Sequence, residues 1–238
     1  MSQTTMTQST VTQPTTNAGR RAFGAWTACG LVLAMFGTPL FLWLARVDVG
    51  DATGIGSYLA REAVVFAMAG ALLLLVRFGE RRPWSSIGWH GDRLGGVVGW
   101  GLLGAVACFV ALLGCMVLAQ ALHWKVGLQQ PPKWDPPVWA MAITVLRAGV
   151  TEELFYRGYA LERLITLTGS RWIATALTVV PFALFHYRQG PAGIMIAAVA
   201  AVILSLMYLR RRSLPTVMVT HFSVDFVPNV LLPLLGVG

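Results

Sequence analysis

Glu152 and Glu153 are adjacent carboxylates within RAGVTEELFYRGYALERL, residues 147–164, in the most apolar half of a very apolar chain. Ionised groups at membrane depth are costly and tend to be kept for function. Neighbouring residues on a helix differ by about 100°, so the two carboxylates face different ways. Glu153 and Arg157, four apart, can pair along one face, which leaves Glu152 to turn into the bundle. Two further clusters carry imidazoles. In PFALFHYRQG, His186 lies four residues after Phe182, whose ring can pack beneath the imidazole and limit its rotation. In THFSVDFVPN, Asp225 lies four residues after His221, and Asn229 follows one turn later on the same stripe. A carboxylate one turn from an imidazole can fix its tautomer. Carboxylates and imidazoles are acid–base groups, suited to moving protons in hydrolysis or in transport.

The elements that must position these groups are membrane helices. The 238 residues are 56% hydrophobic and 12% charged, too apolar for an ordinary soluble domain of this size. The apolar residues form long runs rich in Ala, Leu and Gly that do not alternate with polar ones, so helices are expected and strands are not. The expected fold is all-α: a polytopic helical membrane bundle of about seven transmembrane helices. Residues 1–19, rich in Ser, Thr and Gln, read as a disordered tail, and residues 20–238 as one integral membrane domain. The first run, to about Leu44, is too long for a signal-peptide core and no small-residue cleavage site follows, so it is expected to be kept as a span, with Pro39 kinking it. Further spans are expected near 58–78, 94–122, 138–160, 172–188, 192–209 and 214–235. Four prolines between the third and fourth mark an irregular loop, and the tryptophans of the two long loops suit an interfacial belt.

The net charge of +8 comes from basic residues gathered at the ends of apolar runs, which argues for membrane orientation and against a nucleic-acid partner. With the N-terminus inside, eleven basic residues, Arg163 and Arg210–Arg212 among them, fall in inside loops and five in outside ones. An integral protein of a bacterial cytoplasmic membrane, N-terminus inside, is the expectation. Three cysteines within apolar runs read as packing, not disulfides.

Depth decides whether the clusters meet. The fourth and fifth spans form a hairpin turning at Gly169-Ser170, with Glu152 and His186 each 17 or so residues from the turn and so at similar height. Arg188-Gln189-Gly190-Pro191 would break the chain at that depth, which is tolerable if it lines a wet cavity. Each cluster alone also has a structural reading as a tie between helices, and Arg147 reads as structural or interfacial. Three such clusters on three helices favour a shared site.

Taken in order, Glu152-Glu153-Leu-Phe-Tyr-Arg157, Phe182-Ala-Leu-Phe-His186 and His221-Phe-Ser-Val-Asp225 resemble the three motifs of the CAAX-processing and bacteriocin-processing, or abortive-infection, intramembrane protease family. The resemblance covers about residues 138–230. It implies a peptidase opening from within the membrane. Glu152 would activate water with His186 assisting, His221 and Asp225 would stabilise the oxyanion, and Glu153, Arg157 and Phe182 would support them. Asp225 departs from the Asn often found there; an ionised Asp cannot donate a hydrogen bond, so orienting His221, carrying a proton or binding a metal stay open as its roles. No cofactor is required, although Glu152, His186, His221 and Asp225 could hold Zn²⁺. No His-Glu-x-x-His is present. The implied partners are the lipid bilayer and a peptide or membrane-anchored protein, lipidated or not; the oligomeric state stays open. Two rival functions fit the same residues: a non-catalytic membrane protein for peptide binding or immunity, and a proton-coupled transporter, against which the lack of an internal repeat counts.

Overall fold

Apolar runs that cannot leave backbone groups unpaired in lipid fold as helices, and in the computed structural model helices joined by short loops make up the described residues, 24–44, 52–127 and 134–236. The polar tail 1–19, Arg20, Arg21, Arg46, Lys133 and two of the four loop prolines lie outside them. The helices are α1 (Ala25–Leu44), α2 (Ile55–Leu74), α3 (Leu94–Ala121), α4 (Val138–Arg147), α5 (Glu162–Thr168), α6 (Arg171–Leu184), α7 (Gly190–Arg211), α8 (Leu214–Phe226) and the short α9 (Leu232–Leu234). A π turn, Leu75–Gly79, extends α2, and another, Val227–Leu231, joins α8 to α9. Among the described residues, five helical runs are long and apolar enough to cross a membrane: Ala25–Leu44, Ile55–Gly79, Leu94–Ala121, Tyr187–Arg211 and Leu214–Leu234. The outer face of α3 shows what covers them: Leu102, Leu103, Val106, Val110, Leu113 and Val117 are all exposed, as side chains that meet lipid should be. This is an integral membrane protein.

The other two expected spans differ from the rest. Between Val138 and Thr168 the chain is one unbroken helical run that contains two π turns, Ala148–Glu152 and Leu154–Leu161. From Glu153 to Arg163 every residue of it is buried, so protein, not lipid, surrounds this stretch. Arg163, expected in a loop, is a correction: it is 3% exposed and paired with Glu80. The fifth span, expected over 172–188, is corrected to the 14-residue α6, about 21 Å long at a helical rise and short of a bilayer core. The turn at Gly169-Ser170 is where the sequence places it, with the Ser170 hydroxyl accepting from the Ile173 N–H as an N-cap.

Small residues let the central helices touch. On α3 the Gly101 carbonyl accepts from the Thr220 hydroxyl of α8 at 2.9 Å. At Gly149 a Cβ would stand 3.0 Å from the Phe222 backbone, so only glycine admits α8 this closely beside Glu152 and Glu153. At the end of α2, Glu80 accepts from Thr27 at 2.8 Å, Tyr159 at 2.9 Å and the Arg163 Nη2 at 2.6 Å. Arg163 also donates to the Ser86 carbonyl at 3.0 Å, so one carboxylate ties α1, α2, the buried run and the following loop.

Two predictions follow from this packing. Gly149→Val should destabilise the protein by about 1–3 kcal/mol through overpacking, read as a lowered Tm in detergent; an unchanged Tm would show that α8 does not rest on Gly149. Burial alone would raise the Glu80 carboxyl, but the hydrogen bonds from Arg163 and Thr27 outweigh it and hold the group below its ordinary value. Its stabilisation is therefore fully present above the ordinary carboxylate range and is lost as pH falls through the lowered value. Glu80→Gln should flatten the acid limb of a Tm-versus-pH curve relative to wild type.

Candidate active site

The buried run is built around one ion pair. Glu153, fully buried, accepts from Arg157 Nη1 at 2.6 Å on the same face one turn away, the pairing read from the sequence. Its Oε1 also meets His221 Nδ1 at 2.7 Å from α8. Arg157 reaches further: Nη2 donates to the Ala201 carbonyl of α7 at 3.0 Å, and its guanidinium lies 5.0 Å from the Phe182 ring centre on α6. Four segments thus meet at two side chains. On the far side of His221, Nε2 lies 3.4 Å from Asp225 Oδ2. Each imidazole nitrogen therefore faces a carboxylate, and Asp225 is placed to orient His221. Asn229 is exposed and donates to the Asp225 carbonyl, so it adds nothing to the site.

Glu152 points the other way, as the helical phase requires, into an open cavity of about 1090 Å³. Its walls include Arg147, Thr151, Tyr156, Phe182, His186, Arg188 and Gln189, with Met35, Thr38, Pro39 and Trp43 of α1 across the opening. Glu152 and His186 thus share one chamber, as their equal separation from the hairpin turn implies. Arg188 and Gln189 of the break lie on the wall, as a broken chain at this depth demands. Phe182 and His186 rings pack 5.1 Å apart. The Phe182 carbonyl, which can only accept, lies 2.9 Å from His186 Nδ1. Nδ1 therefore carries the proton, and in the neutral ring Nε2 is left as an acceptor.

The three clusters do not all face the cavity. His221 and Asp225 are not among its wall residues; they stand behind it, joined through Glu153. Among the described residues no group of three His, Cys, Asp or Glu side chains is arranged to hold a metal. The four residues that could have formed a zinc set are split between chamber and tie, so this arrangement does not fit zinc.

The sequence reading passed over Glu62. It lies on α2, in the part of the chain without motifs, is 2% exposed, and accepts from Arg147 Nε at 2.7 Å. Arg147, read as structural or interfacial, also donates Nη1 to Glu152 Oε1 at 3.0 Å. A lone carboxylate in the run AREAVVFAMAG was the available signal.

Fold and cavity define a polytopic membrane protein with a carboxylate and an imidazole in one chamber inside the bundle. Residues 134–227 are similar to the Rce1-like family, matching the model described as type II CAAX prenyl endopeptidase Rce1-like. No curated protein and no solved structure matches the chain.

Removing one partner of a buried pair strands the other charge. Glu153→Ala should cost about 3–5 kcal/mol and sharply lower the yield of folded protein, because Arg157 is left buried without its carboxylate. Size-exclusion profiles and thermal melts in detergent test this; wild-type behaviour would mean that Arg157 finds another partner.

Proposed function

We propose that the protein is an intramembrane endopeptidase that hydrolyses a peptide bond of a peptide or membrane-anchored protein, lipidated CAAX-like ends included, through a water activated by Glu152. The observation that carries this reading is the shared chamber of Glu152 and His186. A carboxylate and an imidazole Nε2 offer two acceptors, one for each hydrogen of a water, and a general base must reach the proton that it takes. Glu152 removes the proton as the water oxygen attacks the scissile carbonyl carbon, and later delivers it to the leaving amine. Phe182 holds His186 through both its ring and its carbonyl.

The developing oxyanion needs a donor. His221 is not on the chamber wall, so in this reading it meets the oxyanion by turning Nε2 from Asp225, 3.4 Å away, toward the chamber while Glu153 keeps hold of Nδ1; until then Asp225 aims the ring. The apolar walls from α1 and α6 suit a substrate that arrives from the bilayer. Without the buried Arg163, the basic residues still divide ten inside to five outside when the N-terminus is inside, so the Arg210–Arg212 end of α7 is assigned to the cytoplasmic face of a bacterial membrane.

Cleavage of a panel of lipidated and unlipidated peptides by the purified protein in detergent tests the proposal. Glu152→Ala should abolish turnover, and His186→Ala should lower it by about 10²–10⁴-fold, both with wild-type Tm. Full activity of Glu152→Ala would exclude Glu152 as the base. Retention of the cellular role by a cleavage-dead His186→Ala would favour a binding protein.

A further inference from the structure

Glu152 does not stand alone in the chamber. Its Oε1 is held at 3.0 Å by Arg147 Nη1, and the same guanidinium is held at 2.7 Å through Nε by Glu62 Oε2. Glu62 is buried on α2 and is not itself a wall residue of the cavity; it reaches the chamber only through Arg147. Arg61 Nη2 lies 3.5 Å from the other Glu62 oxygen. A planar guanidinium gripped on one edge by a fixed carboxylate presents its other donors in a set direction. Arg147 sits on the last turn of α4, immediately before the π turn that carries Glu152, so it is close along the chain yet anchored across the bundle.

We infer that Glu62 and Arg147 are positioning residues: Glu62 fixes the Arg147 guanidinium, and Arg147 fixes the direction of the Glu152 carboxylate by occupying Oε1. This rests on the peptidase reading for its consequence, since the aim of Glu152 matters only if that carboxylate acts on water. The bond to Oε1 leaves Oε2 to receive the proton, and it prevents rotation about the last side-chain bond of Glu152 from turning the base away. A lysine at 147 has no fork and cannot grip both carboxylates in fixed geometry. The arrangement also joins α2 to the chemistry, although α2 carries none of the three motifs.

The test uses the full chain in detergent. Arg147→Ala should lower kcat by about 100-fold with KM little changed, the loss expected when a reacting group is misplaced by an ångström or so. Because Arg147 lines an open cavity, added guanidinium should restore part of that kcat to Arg147→Ala and none to Glu152→Ala. Arg147→Lys should recover less than guanidinium does, and Glu62→Gln should fall between wild type and Arg147→Ala. Unchanged kcat in Arg147→Ala overturns the inference, as does a loss that guanidinium does not reverse in protein of wild-type Tm. Thermal melts decide the linkage without catalysis: the Tm shift of the Glu62→Ala, Arg147→Ala double variant should be smaller than the two single shifts combined, and additive shifts overturn it. A wild-type protein that cleaves no peptide refutes the peptidase reading, while the melts still decide whether the carboxylates are linked through Arg147.

Discussion

The buried pair between Glu153 and Arg157 is the constraint on which the rest depends. Two charges in the middle of an apolar bundle are tolerable only if each is paired and its remaining polar atoms are bonded. Arg157 meets this condition through the Ala201 carbonyl and the Phe182 ring; Glu153 meets it in part, since Arg157 and His221 both bond Oε1 and the buried Oε2 has no hydrogen-bond partner. The need to satisfy two ions thus selects the positions of α6, α7 and α8 around the buried run. Apolar packing alone would permit those helices to slide and rotate, because lipid competes equally for their side chains. Removing either ion would leave the other without compensation, so the pair specifies one arrangement whatever its net contribution to stability.

Adjacent carboxylates end in different surroundings because a helix turns between them. Glu153 is sealed by protein and holds a fixed cation; Glu152 is partly exposed to a chamber and is held by an arginine that another helix anchors. The π turns bracket this pair. Such turns recur at functional sites because an extra residue per turn shifts the phase of the side chains around it. Here they lie where α8 presses on Gly149, so the close approach of α8 and the division of labour between the two glutamates occur in one short stretch.

Much of this could be read from residue types and spacing. The i,i+4 pairs Glu153–Arg157, Phe182–His186 and His221–Asp225 are all in contact, since one helical turn sets each of them locally. The common height of Glu152 and His186 followed from counting residues to a recognisable turn. Contacts between distant segments were not accessible in this way. Nothing in the local pattern says that His221 Nδ1 meets Glu153 and not the chamber, or that Glu62 reaches Arg147 across 85 residues. Arg163 was misplaced for a related reason. A charge near a helix end looks like a loop residue until its partner, Glu80, is known to lie opposite.

The chamber itself follows from a length. α6 has 14 residues and stops at Leu184, too soon to cross. A helix that ends inside a bundle leaves its last carbonyls without helical partners. One of these, the carbonyl of Phe182, is taken by the His186 imidazole, which is how a short helix comes to orient its own histidine. The chain then makes a tight turn over Tyr187–Gln189 and enters α7 at Gly190, with a φ of 69°, followed by Pro191 in the first turn. Positive φ suits glycine, and proline in the first turn gives up no helical hydrogen bond. Irregular backbone at this depth cannot face lipid, so it must line protein or a polar cavity. Shortness of one helix, imposed by the polar sequence HYRQG, therefore both creates the space and places an imidazole at its edge, and the carboxylate opposite is the one that the helical phase left unpaired by Arg157.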